Sequence, residues 1–215
     1  SDVKSIHEIP FLPVQFFKTR KIVSSLTNAE EIFTSSGTTG ALTSKHYVTD
    51  TSVYENSFRK AFQHFYGKIE EYTILALLPN YIERKGSSLI YMVNDMIHQS
   101  SKKQSGFFLH NLDELAQLLK KLDAKGKKIL LIGVSFALLD LVGKHKFELK
   151  NTIVMETGGM KGKRKELVRE ELHAILKQGL GVDSIHSEYG MTELLSQAYS
   201  KGKGIFETPP WMKIL

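Results

Sequence analysis

Apolar positions recur along this chain with two different periods, and the alternation between them predicts its architecture. Val53, Tyr54, Phe58, Ala61, Phe62 and Phe65 fall on one face of a helix. Thr49 and Asp50 are placed to cap that helix, and Gly67 to end it. The unbroken run Tyr72-Thr73-Ile74-Leu75-Ala76-Leu77-Leu78, stopped by Pro79, has the pattern of a strand buried on both faces. Leu89, Ile90, Val93, Met96 and Ile97 predict the next helix, and residues 106–109 a short strand. Leu112, Leu115, Leu118, Leu119 and Leu122 predict a further helix closed by Gly126. Residues 128–132 predict a strand, with Ser135 as the cap of a helix over 136–142. Residues 152–155 predict another strand. An amphipathic helix follows, with Leu167, Val168, Leu172, Ile175 and Leu176 inward and His173 on its surface. Residues 182–186 predict the last strand. Upstream, Pro10 and Pro13 predict an extended arm over 1–22 that packs on the body, and Ile32-Phe33 ends a short strand. Strands alternate with helices throughout. That order predicts an α/β fold with a largely parallel sheet flanked by helices.

Composition narrows the picture. The chain has 215 residues, 41% hydrophobic and 24% charged, which suits one domain over 1–215. It has no cysteine, which excludes disulfides, thiolate metal sites and a thiol nucleophile within this segment. That absence is compatible with a reducing cytoplasm, the expected location. Ser1-Asp2-Val3-Lys4 lacks the apolar core of a signal peptide, and no apolar run is long enough to span a bilayer. The chain opens on Ser1 and stops at Leu215 soon after an apolar segment begins, so it is expected to be part of a longer protein. Net charge is +6, from 29 Lys and Arg against 23 Asp and Glu. The basic residues are scattered except at Lys161-Gly162-Lys163-Arg164-Lys165, so a solvated face or an anionic small substrate is favoured over a nucleic-acid partner. His46, His110, His173 and His186 show no metal-ligand spacing.

Candidate chemistry sits in three loops, each after an expected strand. In an open α/β sheet, ligands gather beyond the carboxyl ends of strands. Thr34-Ser35-Ser36-Gly37-Thr38-Thr39-Gly40 offers hydroxyls and backbone N–H groups to one anion. No Gly-Lys-Ser/Thr closes it, so it is not a Walker A loop. Glu156-Thr157-Gly158-Gly159 offers glycines that admit a flat ring. Ser187-Glu188-Tyr189-Gly190-Met191-Thr192-Glu193 offers an aromatic ring, a hydroxyl and a carboxylate. A carboxylate beside phosphate calls for a cation between them, and Mg²⁺ with few carboxylates is the usual one. Triphosphate, Mg²⁺ and an aromatic platform together describe ATP. Plainer readings stand beside these: a flexible linker for the first loop, a simple turn for Gly158-Gly159, a core aromatic for Tyr189, and a helix-start acid for Glu193. Phe58, Phe62, Phe107 and Phe108 are equally candidates for an apolar acyl pocket or for core.

Ser35-Ser36-Gly37-Thr38-Thr39-Gly40 and Tyr189-Gly190-Met191-Thr192-Glu193 resemble two core motifs of the adenylate-forming superfamily. Lys18, Ser44-Lys45-His46 and the run from Glu156 through Ser196-Gln197-Ala198 resemble one branch of it, the LuxE-like acyl-protein synthetases. The resemblance implies the fold of that superfamily's large N-terminal domain, truncated, with the small C-terminal lid domain absent. It implies ATP-dependent activation of a fatty or aryl carboxylic acid to an acyl-adenylate, followed by transfer to a thiol. The acceptor is a protein cysteine, or coenzyme A if the chain is an acyl- or aryl-coenzyme A ligase. A non-catalytic nucleotide- or acyl-binding module is the reading of another class. By motif position, Ser35, Ser36, Gly37, Thr38, Thr39 and Gly40 hold the outer phosphates. Gly158, Gly159 and Tyr189 hold the adenine, with Glu188 and Gly190 in the same nucleotide-binding set. Thr192 meets the α-phosphate, Glu193 holds Mg²⁺, and Lys45 joins Thr192 and Glu193 in the expected catalytic set. Ala41-Leu42-Thr43-Ser44 intervene before Lys45, where many family members place proline and lysine directly after the last glycine.

Overall fold

The computed structural model describes residues 3–36, 42–80, 82–158 and 167–215. Along the chain lie α1 (Phe16–Thr19), β1 (Glu31–Thr34), β2 (Lys45–Val48), α2 (Thr51–Tyr66), β3 (Thr73–Leu77) and α3 (Ser88–Ser100). They are followed by β4 (Gly106–Phe107), α4 (Leu112–Asp123), β5 (Ile129–Val134), α5 (Ser135–Lys144) and β6 (Thr152–Thr157). The last elements are α6 (Arg169–Leu180), β7 (His186–Tyr189) and β8 (Ala198–Ser200). The expected α/β class is what the structure has. Six strands form the main sheet in the order β4-β3-β5-β6-β7-β8, parallel except for the β7–β8 pair.

Every residue of β3 and of β5 is buried, so both faces of the sheet must be covered. The α3 connection crosses the sheet in one direction, and the α5 and α6 connections cross in the other. Right-handed crossovers therefore place α3 on one face and α5 with α6 on the opposite face. The helix α2 joins the α3 face, pinned by Arg59 Nε donating to Asp95 at 2.9 Å. Asp50 caps α2 by accepting from Ser52 N at 3.0 Å, and Gly67 ends it at φ +87°.

Several local expectations give way to packing. The 1–22 arm contains short helical turns at Ile6–Glu8 and Phe16–Thr19, and Phe17 is its buried anchor, edge-on to His46. The short strand expected to end at Ile32-Phe33 is β1, but its antiparallel partner β2 and the antiparallel β8 have no counterpart in the sequence pattern. The last parallel strand begins at His186, four residues later than expected, because Met155 pairs with His186. Helix α6 starts at Arg169, leaving Val168 and Ile175 exposed, while His173 is buried. Phe58 and Phe62 are fully buried core residues, and Phe107 and Phe108 pack against that core. Among the described residues, no helix is long and apolar enough to cross a membrane.

The contact of α5 with α6 is close enough to need a glycine. A Cβ built on Gly179 would lie 2.5 Å from Val142 Cβ. Alanine would gain about 1 kcal/mol of helix propensity. Overpacking a tight contact costs about 1–3 kcal/mol, and Cβ is not a side-chain tip that can swing away. Gly179→Ala is therefore expected to lower the urea midpoint of the chain. A raised midpoint would mean that the two helices stand further apart.

Candidate functional site

The carboxyl ends of β5, β6 and β7 open on a cleft of about 550 Å³. All three loops marked in the sequence contribute to its wall: Thr34 and Ser36 from the first, Thr157 and Gly158 from the second, and Glu188 through Thr192 from the third. Arg84, Ser87 and Ser88, at the entrance to α3, complete one side.

Local hydrogen bonds bring the first and third loops together. Thr34 N donates to Gly86 O at 2.6 Å, which hangs β1 on the start of α3. Gly86 sits at φ +77°, and a Cβ there would meet Thr34 Oγ1 at 3.0 Å, so this junction needs glycine. Ser35 N donates to Ser44 O, and Ser44 N to Ser35 Oγ at 2.9 Å, closing the base of the hydroxyl-rich loop. His46 Nδ1 lies 3.0 Å from Thr192 O. A carbonyl only accepts, so that ring nitrogen carries its proton.

The candidate residues divide in the structure. Thr34, Ser36, Gly158, Glu188, Tyr189, Gly190 and Thr192 line the cleft. Ser35 does not, its hydroxyl being used within the hairpin. Lys45 is exposed on β2 and lines a separate basic depression with Lys18, Arg20 and Lys21. Its neighbour His46, on the other face of the strand, is the residue that reaches the third loop. Glu193 is half-buried just beyond Thr192, outside the lining. Gly37, Thr38, Thr39, Gly40 and Gly159 lie outside the described residues, as does the 161–165 basic cluster.

Side chains alternate along a strand, so the sheet edge divides the cleft into two halves. On the α2 and α3 side stand Glu188, Thr157, Tyr54, Ser88 and Gln197. Thr157 Oγ1 donates to Glu188 Oε2 at 2.6 Å, and Gln197 Nε2 to Tyr54 Oη at 2.9 Å. On the α5 and α6 side stand Tyr189, Glu156, Ser135 and Arg169. Ser135 is not the helix cap the sequence implies; its hydroxyl donates to Gly158 O at 2.7 Å. Glu156 Oε1 lies 3.6 Å from His173 Nε2 and 3.9 Å from Arg169 Nε. The Arg169 guanidinium lies over the Phe206 ring, and Tyr189 meets that ring edge-on at 6.1 Å.

Burial pushes the Glu188 carboxyl up to about 7, with the nearby Glu156 charge adding to the rise and the Thr157 hydroxyl opposing it. Burial also raises the Tyr54 hydroxyl well above its usual range. Gln197 and His173 are not among the site residues the sequence marks, and Ser135, which follows a strand, reads there as a helix cap ahead of an acyl-pocket residue. The fold brings Ser135 and Gln197 into the cleft wall and sets His173 beside Glu156.

No family model matches the chain, and no curated protein matches it. Among solved structures it is similar to a mutant form of coronafacic acid ligase from Pectobacterium brasiliense. The identity is 14% and the TM-score 0.45, over 71% of this chain and 27% of that one. The chain thus spans about a quarter of that protein's length.

The raised Glu188 carboxyl has a consequence for stability. Below its ordinary value of 4.5 the group is protonated in both the folded and the unfolded chain, and folding carries no penalty from it. As pH rises, the unfolded carboxyl ionises first, so stability falls until pH passes about 7. Each unit corresponds to about 1.4 kcal/mol, so the loss is on the order of 3 kcal/mol. Glu188→Gln is expected to remove it: the variant should gain on the wild type between pH 5 and pH 8 in urea melts. Parallel pH profiles for the two proteins would contradict this.

Proposed function

We propose that this chain is the nucleotide-binding part of an ATP-dependent acyl-activating ligase. The observation that carries the reading is the meeting of two distant motifs, with Ser36 and Thr192 in the wall of one cleft at the carboxyl edge of a parallel sheet. The hydroxyls of Thr34, Ser36, Ser87, Ser88 and Thr192, with the Arg84 guanidinium, suit a row of phosphates. Gly158 and the exposed face of Tyr189 suit a flat base.

The chemistry is displacement at phosphorus. A carboxylate oxygen of the acid forms a bond to the α-phosphorus of ATP, the bond to the bridging oxygen breaks, and pyrophosphate leaves. The chain's part is to hold the two reactants in line and to place donors at the α-phosphoryl oxygens, Thr192 foremost. A thiol sulfur then bonds to the acyl carbon, the bond to the adenylate oxygen breaks, and AMP leaves. With no cysteine in these 215 residues, the thiol comes from elsewhere: coenzyme A or a cysteine outside this segment. The letters at 35–40, 44–46 and 156–198 support the LuxE-like branch, with a protein cysteine as acceptor.

Among the described residues, no three His, Asp or Glu side chains form a metal cage. That fits Mg²⁺ arriving with the nucleotide, held by phosphate oxygens and one carboxylate. Glu193 is the residue we assign to it; among the described residues its carboxylate has no ion pair. When bound, Mg²⁺ would neutralise charge on the phosphates.

Calorimetry with ATP tests the reading. The chain is expected to bind ATP, and Glu193→Ala to weaken binding about tenfold in Mg²⁺ but not in chelator, as for one charge-assisted contact. Absence of ATP binding by the wild type would end the proposal. Acid-dependent pyrophosphate exchange then separates an enzyme from a binding module.

A further inference from the structure

On the α2-side floor of the cleft a buried amide oxygen without a donor among the described residues stands beside a carboxyl held by a single hydroxyl. Tyr54 Oη donates its one proton to Ser88 O at 3.2 Å, so it accepts from Gln197 Nε2 at 2.9 Å. This orients the amide. Gln197 is 2% exposed, and its Oε1 is buried with no partner among the described residues. Glu188 is 8% exposed. Its Oε2 is taken by the Thr157 hydroxyl, and among the described residues no Lys or Arg pairs with it. A Cβ on Gly190 would lie 2.7 Å from Glu188 Oε1 and 3.7 Å from Gln197 Nε2. The carboxyl and the amide therefore flank one glycine, at the wall of a cleft open to ligand.

A buried amide oxygen without a donor, as Gln197 Oε1 is here among the described residues, costs stability unless a ligand supplies one. A hydroxyl has one proton and can serve one acceptor; an ammonium has three and also neutralises a carboxylate. Resting on the ligase reading above, we propose that the acid activated here carries an amino group, held by Glu188 Oε1 and Gln197 Oε1, in place of an alkyl or plain aryl tail. The adenine amino group is a second source of N–H donors, but strand alternation places it elsewhere. Glu188 points to the α2 side of β7, and Tyr189, the platform for the base, points to the α6 side.

Acyl-sulfamate analogues of the acyl-adenylate test this on the 215-residue chain, with aminoacyl, decanoyl and benzoyl groups compared by calorimetry. The aminoacyl analogue is expected to bind at least tenfold tighter than the other two, and Glu188→Gln to abolish that preference. If decanoyl or benzoyl binds as tightly as aminoacyl, or the preference survives in Glu188→Gln, the inference falls and the ligase reading stands. If no analogue and no ATP binds, the ligase reading itself falls. In a further arm, hypoxanthine replaces adenine in the aminoacyl analogue. Loss of the adenine preference in Glu188→Gln would assign the floor to the nucleobase and overturn the inference.

Discussion

Parallel pairing of β5, β6 and β7 is the constraint on which the rest depends. Parallel neighbours all end at the same edge, and their buried faces require helices on both sides. Polar loops can then gather a ligand only beyond the strand ends. Sequence separation becomes irrelevant: Thr157 and Glu188 are paired across β6 and β7 although a helix lies between them. The antiparallel hairpin β1–β2 is brought to the same edge by the Thr34–Gly86 and His46–Thr192 bonds. It adds a lip of hydroxyls to an edge already fixed by the sheet.

The strand ends also hold buried polar groups, some of them without a partner among the described residues. Glu156, Glu188, His173 and Gln197 are all buried, yet His173 Nε2 and Gln197 Oε1 find no hydrogen-bond partner among the described residues. A core built for stability alone would fill these positions with apolar side chains. Contrast Asp123, equally buried, whose carboxylate accepts from Lys150 N, Asn151 N and the Thr152 hydroxyl. That carboxylate is fully occupied in tying the end of α4 to the start of β6.

The sequence made the centre of the sheet legible because β3, β5 and β6 are largely apolar runs and the helices between them carry apolar stripes. The site was legible only as loops. Nothing in the letters around Ser135 distinguishes a helix cap from a hydroxyl aimed at Gly158, since both readings need a serine after a strand. His173 reads as a helix-surface residue in the sequence, but its position on α6 turns it toward Glu156. Lys45 is the choice beside a phosphate loop that both its charge and the Ser44-Lys45-His46 resemblance suggest. Which side of a two-stranded ribbon a residue takes is set by pairing with β1, and no local pattern encodes that pairing.

Parity along a strand decides chemistry here at single-residue resolution. Lys45 and His46 are neighbours, yet one faces a basic depression and the other holds the third loop. Glu188 and Tyr189 are neighbours, and the same rule sends a carboxyl to one side of the sheet and an aromatic ring to the other. A cleft astride a sheet edge thus has two halves whose chemistry is set independently, one residue apart. The cost is rigidity: a slip of one residue in β7 would exchange the halves. The antiparallel pairing of Glu188 with Tyr199 and of Tyr189 with Ala198 holds β7 from its open side, and so fixes which half receives which residue.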